Sequence, residues 1–274
     1  MSGTLTFAPL TSRALIAVSG PDWRGFLQGL ITQDVETLKP GEARFGALLT
    51  PQGRLLYDLF VVGRDEGCWL DVLAEHRAAI LQRLAMYRLR AKVELAADDT
   101  PVGVLYGAEA DPGAGWVRDP RLPALGWRGY GVSSPAGAVL VDEAARDAAK
   151  LALGVPGPAD WGSDKTYPIE ANFDLLNGID FRKGCFVGQE TTSRMKRRGQ
   201  IKSRMLPIRF EGPLPTVGAE VLAGELRAGV VTSVGDGHAM ALLRLDRAEG
   251  QSLTVDGQAV TVERPAWLDA AGAG

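Results

Sequence analysis

The chain holds 274 residues, 46% of them hydrophobic and 23% charged, with 30 basic and 33 acidic side chains for a formal net charge of −3. That is an ordinary globular composition with enough apolar content for a sizeable core, and at roughly 150 residues per domain the length suits just under two domains. It excludes a disordered tail, a collagen-like repeat, a disulfide-stapled mini-domain and a wholly basic nucleic-acid clamp.

The first strongly periodic segment is Ser19 to Leu30, where Trp23, Phe26, Leu27 and Leu30 share one helical face behind a Ser19 or Asp22 cap. Arg44 to Thr50 and Leu55 to Val62 read as two strands of a hairpin turned at Pro51, Gln52 and Gly53. A third strand is expected over Cys68 to Leu73. A helix follows over Glu75 to Arg88, with Ile80, Leu81, Leu84 and Tyr87 at helical spacing. Val102 to Tyr106 and Ala138 to Val141 read as short strands, and Gly107 to Pro123, rich in Gly, Pro and charge, as a loop. Strands and helices mix without regular alternation, so the fold class is α+β. From Leu206 onward the texture changes. Leu206 to Phe210, Glu220 to Leu222, Gly229 to Val234, Ala239 to Arg244 and Ala259 to Glu263 are strand candidates separated by Gly and Pro turns, the pattern of a small barrel or sandwich. A domain boundary falls near residues 205–212. No internal repeat is present.

Several motifs fail on inspection. Gly157 and Gly162 have the glycine spacing of a phosphate loop, but Ser163 stands where that loop needs a lysine. No nucleophile elbow accompanies the two histidines, His76 and His238, which read as structural. Two cysteines, Cys68 and Cys185, and two histidines do not make a zinc or cluster site within one chain, so no metal is expected. No apolar run reaches eighteen residues, no secretory signal opens the chain, and Arg13 is the only basic residue among the first twenty. The expectation is a cytoplasmic protein with reduced thiols, away from membranes.

The informative stretch is Asp180 to Phe210. Cys185 lies between Gly184 and Gly188, just ahead of a helix expected from Gly188 to Met195, with Arg182 and Lys183 adjacent. A helix start and neighbouring cations stabilise a thiolate, whereas a buried cysteine in a tight turn would be inert. Gln189 and Glu190 could bond the helix-start amides or orient a ligand. Between 182 and 209 stand Arg182, Lys183, Arg194, Lys196, Arg197, Arg198, Lys202, Arg204 and Arg209 against only Glu190. Such a concentration favours an anion site over a merely solvated face.

The run Lys183, Gly184, Cys185, Phe186, Val187, Gly188, Gln189, Glu190 resembles the signature of the YgfZ/GcvT-like family of folate-binding proteins. These are relatives of the aminomethyltransferase (T-protein) of the glycine cleavage system that support iron–sulfur proteins. Phe26 to Gly29 with Thr32 to Val35, Leu48 to Arg54, Tyr87 to Arg90, Leu153 to Pro156 and Pro168 to Glu170 resemble further pieces of the family pattern, in family order.

The resemblance implies a ring-like, tetrahydrofolate-binding fold of aminomethyltransferase type. Residues 1–206 would form a folate-binding α+β region of two intertwined subdomains, 207–268 a small C-terminal β-barrel, and 269–274 a frayed tail. It also implies tetrahydrofolate, or a one-carbon derivative, as cofactor. Glu170 would hold the pterin, Asp58 would lie near the folate nitrogens, and Arg204 would suit the glutamate tail. Cys185 would be a reactive thiol beside the folate cavity, its thiolate stabilised by Lys183 and the helix start. Tyr57 stands where the transferases carry a second aspartate, and Lys150 where the family usually has arginine.

The leading reading is a folate-binding accessory protein for assembly or repair of iron–sulfur proteins, partnered by folate and by iron–sulfur client or assembly proteins, and monomeric. Whether it turns over substrate is left open. Two other readings stand beside it: a folate-dependent aminomethyltransferase or demethylase, and an RNA-binding module using the 182–209 patch.

Overall fold

Five antiparallel strands form the first sheet, in the order β3 (Ala43–Leu49), β4 (Leu55–Arg64), β5 (Gly67–Leu73), β2 (Arg13–Ser19) and β6 (Glu94–Asp98). The structure, a computed structural model, describes residues 3–107, 112–199 and 201–270. Successive side chains in a strand face opposite ways. Ile16, Val18, Leu59, Val61, Leu70 and Val72 therefore share one face, closed by Leu27 of helix α1 (Trp23–Gln28) and by Ile80 and Leu84 of α2 (Arg77–Arg88). The opposite face carries Arg13, Leu15, Asp58, Phe60, Val62 and Asp71, charged and apolar groups together; the strand register sets Leu15 and Phe60 each against Asp71.

That second face meets another five-stranded sheet, β10 (Val139–Leu140), β1 (Thr6–Pro9), β7 (Val102–Tyr106), β9 (Trp127–Tyr130) and β8 (Trp116–Arg118), in which β1 and β10 run parallel. Leu10, Leu15, Val62, Val104 and Val117 fill the space between the two sheets. Helix α3 (Glu143–Ala152) and the single turn α4 (Pro158–Trp161) carry the chain onward to α5 (Gln189–Arg198). The remaining strands close into a six-stranded barrel, β11 (Ser203–Phe210), β14 (His238–Arg244), β13 (Leu226–Val234), β12 (Glu220–Ala223), β15 (Leu253–Val255) and β16 (Gln258–Val262), with the short helices α6 (Leu245–Ala248) and α7 (Ala266–Ala270). Phe45, Phe60, Trp161, Phe173, Met205 and Met240 share one buried cluster, which ties the first sheet to the barrel.

The α+β class and the C-terminal barrel follow the sequence reading, with three local corrections. Trp116–Arg118 is a strand inside the segment read as a loop, because it pairs with β9; residues 108–111 of that segment lie outside the described residues. The chain enters the barrel at Ser203, a few residues ahead of the expected boundary. The tail is not frayed from Asp269: Asp269 sits in α7 and accepts from Arg264 at 3.2 Å, while 271–274 lie outside the described residues.

Candidate functional site

A cavity of about 810 Å³ opens where the first sheet, α3, α4 and the barrel meet. Strand β4 contributes Tyr57, Asp58 and Phe60; α3 contributes Arg146, Asp147 and Lys150; Trp161 and the β13 end at Ser233 and Val234 supply the far side. Leu10, Leu56, Leu73, Leu151 and Val155 give it apolar surface.

Asp58 reaches this cavity because it shares a strand face with Phe60, and it is held in place. Its Oδ2 accepts from Arg13 Nη1 at 3.0 Å. The same guanidinium donates through Nε to Asp71 Oδ1 at 2.6 Å and through Nη2 to the Asp71 carbonyl at 2.6 Å. Asp71 Oδ2 in turn accepts from Arg128 Nη2 at 2.5 Å and from the Tyr130 hydroxyl at 3.0 Å. Arg121 grips Asp119 through Nε at 2.9 Å and Nη2 at 2.6 Å. Burial disfavours charge on Asp71 and Asp119, but the adjacent arginines outweigh it, and both carboxyls sit below the ordinary aspartate range. Burial, reinforced by Asp71, pushes the Tyr130 phenol up. The lining residues Arg13, Asp58, Arg121 and Arg128 are thus backed by a buried layer of ionised Asp71 and Asp119, with the Tyr130 hydroxyl donating to Asp71.

Helix α3 forms the basic wall. The Asp142 side chain caps it by accepting from the Ala145 N–H at 2.8 Å. Four residues apart, Arg146 and Lys150 share a helix face. Both turn to one oxygen, Asp147 Oδ1, at 2.9 and 3.1 Å. Tyr57, at the position of the transferases' second aspartate, sets its ring 5.0 Å from that of His76 at a tilt of 55°.

None of the segment Lys183 to Glu190 lines this cavity. Lys183 Nζ donates to the carbonyls of Gln28, Ile31 and Gln33 at 2.8, 2.7 and 2.9 Å, where helix α1 ends. Burial lowers its pKa to about 8. The ammonium expected to serve Cys185 therefore closes the end of another helix. Cys185 is exposed, Gly184 faces open space, and Phe186 beside them is buried in the cluster that joins sheet and barrel. Gly188, at φ +82°, opens helix α5 at Gln189, three residues further along than Phe186. No side chain caps that helix, so Gln189 and Glu190 do not play the capping role read for them.

Glu170 and Arg204 also lie off the cavity wall. Glu170 Oε2 accepts the Tyr167 N–H at 3.0 Å, and burial raises the carboxyl's pKa. Arg204 is buried and donates to Asn172 Oδ1 at 2.9 Å and to both Asp174 oxygens at 3.0 and 2.8 Å. The carboxylate its fork grips is the chain's own, which corrects its assignment to a folate tail. The basic 182–209 stretch divides in the same way. Lys183 and Arg204 are engaged internally and Arg209 pairs with Glu263, while Arg182, Arg194, Arg197 and Lys202 are exposed; the side chain of Arg198 lies outside the described residues. Of the residues given a role by the family resemblance, Asp58 reaches the cavity along with its neighbour Tyr57 and with Lys150; His76, Gly157, Gly162 and Ser163, read as structural or as a loop, line it as well. Sequence reasoning missed Arg13, Arg121, Arg128 and Arg146; the one available signal was arginine inside short apolar strands, where a buried charge needs a partner.

Residues 202–270 match the family described as CAF17, C-terminal beta-barrel domain. The chain is 34% identical over 243 residues to a mitochondrial iron–sulfur cluster assembly factor IBA57 homolog of Neurospora crassa, covering 77% of this chain and 55% of that protein. It is 33% identical over 261 residues to the mitochondrial iron–sulfur cluster assembly factor IBA57 of Homo sapiens, covering 80% and 73%, and 30% identical over 308 residues to that of Mus musculus, covering 94% and 84%. It thus spans about half the length of the fungal relatives and about three quarters or more of the mammalian ones. In fold it is similar to the glycine cleavage system aminomethyltransferase T of Bartonella henselae, with a TM-score of 0.79 at 20% identity over 97% of this chain and 87% of that one. The cytoplasmic expectation is corrected by these matches: the named relatives are mitochondrial proteins and point to the mitochondrion rather than the cytoplasm.

Proposed function

Because the chain belongs to the family of the iron–sulfur cluster assembly factor IBA57, we propose that it takes part in building or repairing iron–sulfur proteins, with tetrahydrofolate or a one-carbon derivative held in the central cavity and Cys185 as its reactive thiol. The observation that carries the folate reading is the cavity itself. About 810 Å³ suits a ligand of that size, and the wall offers apolar surface, a carboxylate acceptor and a cationic side. These residues fit a ligand whose one end carries N–H donors and whose other end carries carboxylates. Asp58, fixed by Arg13, would accept from ring N–H groups; Trp161 and Leu151 would flank the ring; α3 would face the carboxylate end. Tetrahydrofolate, when bound, supplies a nitrogen-borne one-carbon unit.

Cys185 stands apart from that cavity wall and is exposed. Its role is therefore read as meeting a protein partner, the iron–sulfur client or assembly protein, rather than touching the folate. Tyr57 in place of a second aspartate speaks against aminomethyl transfer as the principal activity. The exposed cations Arg182, Arg194, Arg197 and Lys202 suit an acidic protein surface.

The test is anaerobic calorimetry of tetrahydrofolate with the wild type and with Asp58→Asn, Glu170→Ala and Cys185→Ala, paired with complementation of iron–sulfur enzyme activity in cells lacking the endogenous factor. The expected result is weakened binding in Asp58→Asn, intact binding in Cys185→Ala, and failed complementation by Cys185→Ala. Absence of binding to the wild type overturns the folate reading. Full complementation by Cys185→Ala overturns the role of the thiol. Formaldehyde-yielding turnover of methylated amines, lost in Asp58→Asn and kept in Cys185→Ala, would move the assignment to a transferase or demethylase.

A further inference from the structure

Within the cavity wall each carboxylate away from α3 is engaged by at least one partner, whereas on α3 some donors are left over. Glu143 accepts from Thr11, from the Ser12 N–H and from the Ser12 hydroxyl; Asp160 accepts from the Gly157 N–H at 2.6 Å and from Thr232 Oγ1 at 2.8 Å; Asp58 is held by Arg13. Glu75 is exposed beside His76, 3.7 Å away. On α3 the balance reverses. Arg146 has five N–H donors and, among the described residues, makes one hydrogen bond, to Asp147 Oδ1 at 2.9 Å. Lys150 reaches the same oxygen at 3.1 Å. Two cations on consecutive turns thus share a single carboxylate oxygen, while the side chains of both are only 11% exposed.

The surroundings do not supply the missing acceptor. Asp119 is engaged by Arg121 and lies 3.8 Å from Arg128, and Asp71 by Arg128 and Arg13. The charged groups around this end of the cavity are Arg13, Arg121, Arg128, Arg146 and Lys150 against Asp58, Asp71, Asp119 and Asp147, with Asp160 near enough to act on Lys150 but not in an ion pair with it among the described residues. Burial, together with the nearby arginines, lowers the pKa of both Arg146 and Lys150, the direction expected for cations short of a counter-charge. A free guanidinium edge and a free ammonium, one helical turn apart and facing a cavity, are complementary to an oxyanion.

We infer that Arg146 and Lys150 form an anion subsite on the cavity wall that takes a carboxylate of the bound small molecule. For the identity of that molecule this rests on the folate reading above, where the glutamate end would supply the carboxylate; the subsite itself rests on the unmatched donors.

The experiment titrates three probes, tetrahydrofolate, a tetrahydropterin lacking the glutamate tail, and 4-aminobenzoylglutamate, into the wild type, Arg146→Gln, Lys150→Met and Lys150→Arg, each checked for folding by thermal melting. The expected result is a loss of about tenfold or more for the two tailed probes in Arg146→Gln and Lys150→Met. Lys150→Arg should restore binding, the tetrahydropterin should bind all four proteins equally, and Lys150→Met should melt no lower than the wild type, since it removes a poorly compensated cation. Tailed probes that bind wild type and Lys150→Met equally, or 4-aminobenzoylglutamate that does not bind the wild type at all, overturn the subsite and leave the folate reading to the tetrahydropterin. Lys150-dependent binding of 4-aminobenzoylglutamate with no binding of tetrahydropterin supports the subsite and overturns the folate reading.

Discussion

A methyl group placed on Gly188 would lie 2.9 Å from the Cα of Gly53 and 2.7 Å from the Thr50 carbonyl oxygen. The turn that opens helix α5 therefore rests directly on the β3–β4 hairpin turn, and the segment bearing Cys185 is positioned by backbone-to-backbone contact.

Gly188→Ala is expected to cost about 2 kcal/mol or more, combining the strain of a side chain at φ +82° with the contact to Gly53. Gly53→Ala, at φ +84° and 2.9 Å from Thr191 Cβ, should act in the same direction. Hydrogen exchange would quicken over residues 186–199 and stay unchanged in the barrel. Equal acceleration across the barrel would contradict this local role.

Asp71→Asn should be the most damaging single change in the buried charge layer behind the cavity, at about 3–5 kcal/mol, because it leaves buried Arg128 and Arg13 facing a neutral amide. The folded carboxyl of Asp71 titrates below its ordinary 3.8. Its stabilisation is complete above that pH and is lost as pH falls from there through the folded value. Denaturant midpoints measured from pH 6 down to pH 2 should show a shallower acid decline in the variant than in the wild type.

A thiol reagent should modify one cysteine per native chain and both after unfolding. Cys185 is exposed, whereas Cys68 is buried under the first sheet and burial pushes its thiol pKa up. Peptide mapping of the modified native protein would identify Cys185; label on Cys68 would show that the first sheet opens locally.

Lys183→Met is expected to lower stability by about 1–3 kcal/mol, since the carbonyls of Gln28, Ile31 and Gln33 lose their common donor. The rate of Cys185 alkylation should change by less than about twofold, because the Lys183 ammonium is committed to the three carbonyls. A large fall in that rate would restore the thiolate-stabilising role expected from the sequence.

The parts of the fold legible in the sequence are those where a periodic apolar pattern meets turn residues. The β3–β4 hairpin around Pro51 and Gly53, helix α2 with Ile80 and Leu84, and five of the six barrel strands are of this kind. Strand β2 was hidden because its Arg13 begins the alternation with a charge, and β9 because Arg128 sits where an apolar residue is expected; both arginines make sense only beside Asp71, which arrives from a different strand. The same holds for the site. Asp58 followed from a family resemblance, but its support by Arg13 joins β2 to β4 and has no local trace. Lys183 was legible as part of a motif, while its three acceptors lie some 150 residues earlier in the chain. Spacing along a chain says nothing about which distant carbonyls converge on one ammonium.

The pairing of strand β1 has a consequence for how the molecule is made. Thr6–Pro9 is synthesised before the other strands, yet its antiparallel partner begins at Val102 and its parallel partner at Val139. All five strands of the first sheet lie between Arg13 and Asp98, so that sheet can assemble while β1 still waits. During that interval the face bearing Arg13 and Asp71 stands open to water, and only the arrival of Arg128 seals it. A pause in translation near residue 100 would prolong the exposure of an unpaired strand and a half-neutralised charge cluster, the form of the nascent chain on which a chaperone would have most to hold.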